Sequence, residues 1–201
     1  MFSRKYDTLF VHIPKTGGQS ITEYFLSLEN VPWKHGANLK YLEIVEFEPL
    51  SFTDQLTTAH FTMAEYKCYY HPKVIDSSIK FAIVRDPLTR AFSEYNYNWA
   101  DKVSWDEFAT KKFIDKIRFY HDNPDIRRHL EPQYIFVDDE TEILRFENLE
   151  QDFKDFCLRH ELPVGKLPKR NKGPNKVPPS RGELDTVYKL DKQIFGYGHE
   201  F

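Results

Sequence analysis

The stretches DTLFVHIPKTGGQS (residues 7–20) and IKFAIVRDPLTRAF (79–92) each run from an apolar strand through a short turn straight into a helix. A parallel neighbour for such a strand can be reached only by a crossover, so repetition of this unit dictates an α/β fold with a mainly parallel sheet. IKFAIV reads as a continuous apolar run, the pattern of a strand covered on both faces. After RDP, Pro87 suits a first helical turn, and Leu88, Phe92, Tyr95 and Trp99 recur on one helical face. QSITEYFLSL places Ile21, Phe25 and Leu28 in the same way.

The rest of the chain fits the same alternation. Ser104 and Glu107 of SWDEF have capping-box spacing, and Ala109, Phe113, Ile117 and Tyr120 continue a helical stripe. YIFVDD and EILRF read as two short strands, and ENLEQDFKDFCLRH as a helix with Leu149, Phe153 and Phe156 on one face. The Pro-, Gly- and Lys-rich stretch from 163 to 182 reads as a long surface loop before a last helix, GELDTVYKLDKQIF. Residues 31–66, broken by Pro32, Gly36 and Pro49, support no single element. A chain of 201 residues with 40% hydrophobic content can bury one substantial core, so one domain over 1–201 is expected.

Composition excludes several function classes. A net charge of −3 argues against bulk nucleic-acid binding, although KLPKRNKGPNK at 166–176 forms a local basic patch. No run approaches the roughly 18 apolar residues of a membrane span, and the first strand begins almost at Met1, leaving no room for a signal peptide. A cytoplasmic location is therefore expected. Cys68 and Cys157 are too few for a disulfide framework and lack metal-site spacing, so both read as reduced packing residues.

The two turns carry the chemistry. A helix N-terminus offers unpaired N–H groups and the positive end of a dipole, and glycines let the backbone approach an anion closely. The turn PKTGGQS thus suits a phosphate, with Lys15 adding a mobile charge; the competing reading is a plain glycine turn with a surface lysine. Lys15 precedes Gly17 and Gly18, whereas the Walker A loop places its lysine after the last glycine, so this is not that loop. In the second turn Arg85 stands at the carboxyl end of a strand, where ligands of open parallel sheets bind, and Ser93 follows about two helical turns later. They could share a second phosphate, or Arg85 and Asp86 could form a structural ion pair at a helix start.

HIPKTGGQS together with VRDPLTRAFSEY resembles the paired cofactor motifs of sulfotransferases that use 3′-phosphoadenosine 5′-phosphosulfate (PAPS), in the branch related to carbohydrate (Golgi-type) sulfotransferases. AHFTMAEY, HLEPQY, LRFENLEQDF and VYKLDKQIFGYG extend the resemblance over most of the chain. It implies a P-loop-like, three-layer fold with a central, mainly parallel sheet flanked by helices. It also implies that Lys15, Thr16, Gly17, Gly18, Gln19 and Ser20 hold the 5′-phosphosulfate, and that Arg85 and Ser93 hold the 3′-phosphate. Arg170, Lys172 and Gly173 fall where such enzymes close a basic loop over the 3′-phosphate and adenine; a solvated surface or an attraction for an anionic acceptor are the other readings of that loop.

Sulfonyl transfer needs an in-line hydroxyl, neutralisation of charge on the leaving phosphate and a base, and it needs no metal. Lys15 meets the second need. For the base, His60 lies in a segment similar to one that carries catalytic histidine in enzymes sulfating uronic acids, although Ala59 and Thr58 depart from that pattern. His129 in HLEPQY is the alternative base, followed by Glu65 or Glu131, while His12 reads as a packed core residue. The expected product is adenosine 3′,5′-bisphosphate and the expected acceptor a hydroxyl of a sugar or glycoconjugate, with Trp33, Tyr97 and Trp99 available to stack on rings. A P-loop kinase-like phosphotransferase and an inactive nucleotide- or glycan-binding module are the competing functions.

Overall fold

The computed structural model describes residues 1–3, 5–28, 30, 60–168 and 178–198. Among them, four strands form one sheet in the order β1 (Phe2–Ser3), β2 (Thr8–Val11), β3 (Ile79–Val84) and β4 (Glu142–Arg145). β1 pairs antiparallel with β2, whereas β2, β3 and β4 run parallel, with Val11 opposite Ala82 and Val84 opposite Arg145. The carboxyl ends of β2 and β3 therefore lie side by side, and both predicted turns leave the sheet at one edge.

Both faces of the sheet are covered, which is why its two central strands, β2 and β3, are largely apolar. Leu9, Val11, Ala82 and Val84 point to one face and join Phe61, Met63 and Tyr66 around α2 (Met63–Tyr69) and Ile75 of α3 (Pro72–Ser77). Phe10, Phe81, Ile83 and Leu144 point to the other, against Ile21 and Phe25 of α1 (Gly18–Leu28) and Phe153 and Phe156 of α8 (Leu149–Arg159). Each of these large side chains contributes about 1.5–3 kcal/mol by leaving water. The result is the expected α/β arrangement of helices on both sides of a mostly parallel sheet.

A third apolar cluster lies among helices alone. It combines Ala91 and Phe92 of α4 (Pro87–Glu94) with Trp105 and Phe108 of α5 (Trp105–Phe108), Ile114 and Ile117 of α6 (Lys111–Tyr120), Leu130 of α7 (Pro124–Leu130) and Leu184 of α9 (Leu184–Val187). α10 (Lys189–Phe195) sends Phe195 to the sheet. No helix of the described residues is long and apolar enough to cross a membrane.

Several expectations need correction. YIFVDD is not a strand: Gln133–Phe136 forms a 3₁₀ turn, whose main-chain N–H groups at Gln133 and Tyr134 donate to the buried Asp191 carboxylate at 2.8 and 2.9 Å instead of to a neighbouring strand. The stripe from Ala109 to Tyr120 is not continuous with SWDEF, because Thr110 starts a new helix by accepting from the Phe113 N–H. The last helix breaks at Tyr188 into α9 and α10. Cys157 is buried as expected, but Cys68 is exposed and is no core residue. Trp33 and the basic-loop residues Arg170, Lys172 and Gly173 lie outside the described residues.

Candidate active site

The first turn is a cradle built from main chain. Gly17 adopts φ 89° and Lys15 φ 68°, left-handed values that glycine takes freely and lysine does not. Asp7 and Glu161 also take positive φ, so the backbone value alone assigns Lys15 no role. The buried Thr16 hydroxyl donates to the Ile13 carbonyl at 2.8 Å and closes the turn. A Cβ on Gly18 would stand 2.1 Å from the His12 ring, so this position accepts no side chain without moving His12. Gln19 and Ser20 follow in the first turn of α1, which carries no acidic residue.

The second turn is built from side chains. Asp86 caps α4 by accepting from the Thr89 N–H at 2.8 Å, and Pro87 opens the helix as predicted. Arg85 donates from Nε to Thr89 Oγ1 (3.2 Å) and from Nη1 to the Lys15 carbonyl (3.2 Å), and its guanidinium lies 4.2 Å from the centre of the Phe146 ring. Its Nη2 makes no hydrogen bond among the described residues. Gln133 clasps the Arg85 main chain through both amide atoms, at 2.9 and 2.8 Å. Ser93 is half-buried on α4, and its hydroxyl has no partner among the described residues.

Beside the turns stand three histidines. His12 packs between Phe10 and His60, with ring centroids 5.5 and 4.6 Å away, just beyond the end of β2. Burial, then the neighbouring His60, hold its pKa well below the usual histidine value. The ring centroids of His60 and His129 are 5.3 Å apart, although the two residues lie far apart in sequence. His60 Nδ1 lies 2.9 Å from the His12 carbonyl; burial first, then His129, push its pKa down to about 4. His129 Nδ1 lies 2.7 Å from Oε2 of Glu94, a carboxylate with no exposure. Burial alone would raise the Glu94 pKa, but the hydrogen bonds from His129 and Asn98 outweigh it and leave it lowered.

The lysine joins this group. Lys15 Nζ sits 3.7 Å from the centre of the Tyr97 ring, and Tyr97 stacks toward His129 at 6.4 Å. Burial lowers the Lys15 pKa, partly offset by Glu94. Tyr97 is therefore an exposed residue at the site, whereas Trp99 belongs to the helical core. The other candidate bases are engaged elsewhere: Glu65 pairs with Arg128 and caps Thr62, and Glu131 pairs with Arg118 at 3.0 Å.

Two residues that organise the site, Glu94 and Arg90, do not stand out in the sequence. Spaced i,i+4, they look like an ordinary surface ion pair. Both are buried instead, and Arg90 donates to the carbonyls of Pro14 (3.0 Å), Glu131 (2.8 Å) and His129 (3.1 Å). Their legible signal is position alone: each lies within one turn of the apolar Ala91 and Phe92 face. Among comparisons with known proteins, the family described as Sulfotransferase family matches residues 1–157. No curated protein and no solved structure gives a significant match.

Proposed function

Because the chain belongs to the sulfotransferase family, we propose that it moves the sulfonyl group of PAPS to a hydroxyl of a sugar or glycoconjugate. The observation that carries this reading is the convergence at one sheet edge of a glycine cradle, an arginine fork tied to it, and a histidine pair. Lys15 to Ser20 hold the phosphosulfate, and Arg85 with Ser93 takes the 3′-phosphate. The acceptor oxygen forms a bond to sulfur as the bond from sulfur to the bridging phosphate oxygen breaks. Lys15 and the loop amides stabilise the charge that collects on the leaving phosphate. The hydroxyl proton goes to a histidine Nε2, and adenosine 3′,5′-bisphosphate departs.

His60 is the base on this reading, since it carries the motif match and keeps a free Nε2. Its depressed pKa makes it a weak acceptor before substrate enters, so a second reading places the base at His129, where the Glu94 carboxylate orients the ring and balances the charge it would gain. His60→Ala is expected to slow transfer by about 10²–10⁴ with cofactor binding retained. If His129→Gln does so while His60→Ala retains most activity, the base is His129.

The test of function is transfer from radiolabelled PAPS to a panel of sugars, read beside thermal stabilisation. Adenosine 3′,5′-bisphosphate should raise the melting temperature, and ATP with magnesium should not. Stabilisation by ATP alone would point to a phosphotransferase. Bisphosphate binding without transfer to any acceptor would point to an inactive binding module.

A further inference from the structure

His60, Asp125 and His129 bring one donor atom each to within 4.8 Å of one another. His60 Nε2 is 3.8 Å from Asp125 Oδ1, and His129 Nε2 is 3.8 Å from Asp125 Oδ2. The protons on the two rings follow from their other nitrogens. A carbonyl only accepts, so His60 Nδ1, against the His12 carbonyl, carries the ring proton. His129 Nδ1 carries its proton toward the Glu94 carboxylate. In the neutral rings both Nε2 atoms are then lone pairs, and with Asp125 they make three acceptors within 4.8 Å of one another.

We propose that this triangle binds a divalent transition-metal ion of the zinc class. A metal-ligating histidine normally donates its far N–H to a carboxylate or a main-chain carbonyl, which fixes its tautomer and aim; the two histidines here use one of each. Two imidazoles and a carboxylate suit zinc, cobalt or nickel and not magnesium or calcium, which take oxygen ligands. Asp125 and His129 stand i,i+4 on α7, so one helix face supplies two ligands. Zinc–nitrogen bonds of about 2.0–2.1 Å in a tetrahedral site put ligand atoms about 3.3 Å apart. Each ring is 3.8 Å from a different Asp125 oxygen and the three ligand atoms span up to 4.8 Å, so binding draws in both the Asp125 side chain, which is 45% exposed, and the two rings.

The ion is an occupant, not an agent of transfer. It takes both Nε2 lone pairs, so it blocks the base; this consequence rests on the histidine-base reading, whereas binding itself does not. The full-length chain, stripped with a chelator, is titrated with Co²⁺ by visible absorption and with Zn²⁺ by calorimetry. One equivalent is expected, at micromolar concentration or below, with Zn²⁺ displacing Co²⁺. Asp125→Asn, a half-exposed change that leaves the core intact, should weaken binding about tenfold or more. His129→Gln should do the same, and His71→Ala on the surface should change nothing. An unchanged equivalent in Asp125→Asn, or binding at millimolar concentration only, overturns the site. Bisphosphate stabilisation is read on the same samples: if it is absent while the Asp125-dependent equivalent remains, the metal site stands and the cofactor reading falls. Zn²⁺ that binds without slowing transfer would leave the site standing and remove the histidines from proton transfer.

Discussion

The two strand-to-helix turns occupy equivalent places at the ends of adjacent parallel strands, yet they offer an anion opposite things. The first presents main chain: left-handed Lys15 and Gly17, a Gly18 with no room for a side chain, and a helix whose first turn has no acidic residue. The second has already filled its helix end with the Asp86 carboxylate, which would repel a phosphate there. What remains for a ligand is the Arg85 guanidinium and the Ser93 hydroxyl further along α4. On the proposed function, one position in the fold thus becomes two kinds of anion site, depending on whether the helix supplies its own cap.

That contrast can be broken by substitution. The largest effect is expected from Lys15→Ala, which should lower turnover about 10²–10³-fold while bisphosphate affinity changes less, since leaving-group charge grows in the transition state. Weakened PAPS binding with unchanged turnover at saturation would make the first turn a binding cradle only. Arg85→Ala comes next. By calorimetry it should weaken adenosine 3′,5′-bisphosphate by about 1.5–3 kcal/mol and 5′-AMP by much less; equal losses would show that Arg85 acts through the Lys15 carbonyl it holds.

Gly18→Ala sharpens the comparison in the main chain. The added methyl meets the His12 ring, so a destabilisation of about 1–3 kcal/mol is expected in denaturant melts. Combining it with His12→Ala should recover much of that loss, and strict additivity would mean that the clash is relieved elsewhere. The smallest effect belongs to the cap: Asp86→Ala should cost about 1 kcal/mol of stability and leave bisphosphate affinity intact or improved. A loss of affinity matching that of Arg85→Ala would show that the cap, not the guanidinium, builds the second site.

Much of this architecture is legible in the order of the residues. β3 spans the six residues of IKFAIV, and both turns start where the apolar runs end, because hydrophobic continuity and a capping Pro are local signals. YIFVDD misleads because a 3₁₀ turn that buries Phe136 and half-buries Tyr134 imitates a strand, and the partner that decides the matter, Asp191, is 57 residues away. His60 and His129 each stand in a motif that offers a base, and the motifs alone set them against each other. That they meet depends on how α7, packed against α4 and α6, carries His129 beside His60, which no spacing in the chain encodes. Glu94 is hidden because the cue for it, a charge on an apolar face, is the same cue that ordinarily marks a helix boundary between core and solvent.

Arg90 carries a consequence of a different kind. Its guanidinium grips only carbonyl oxygens, at Pro14, His129 and Glu131, and every residue type has a carbonyl. The fastening therefore tolerates drift in the side chains it joins but not a change in their spacing. A one-residue insertion between Pro14 and Lys15, or within 129–131, would put a carbonyl out of register and leave a buried cation unsatisfied. As far as Arg90 alone is concerned, positions 14, 129 and 131 are constrained in count rather than in kind.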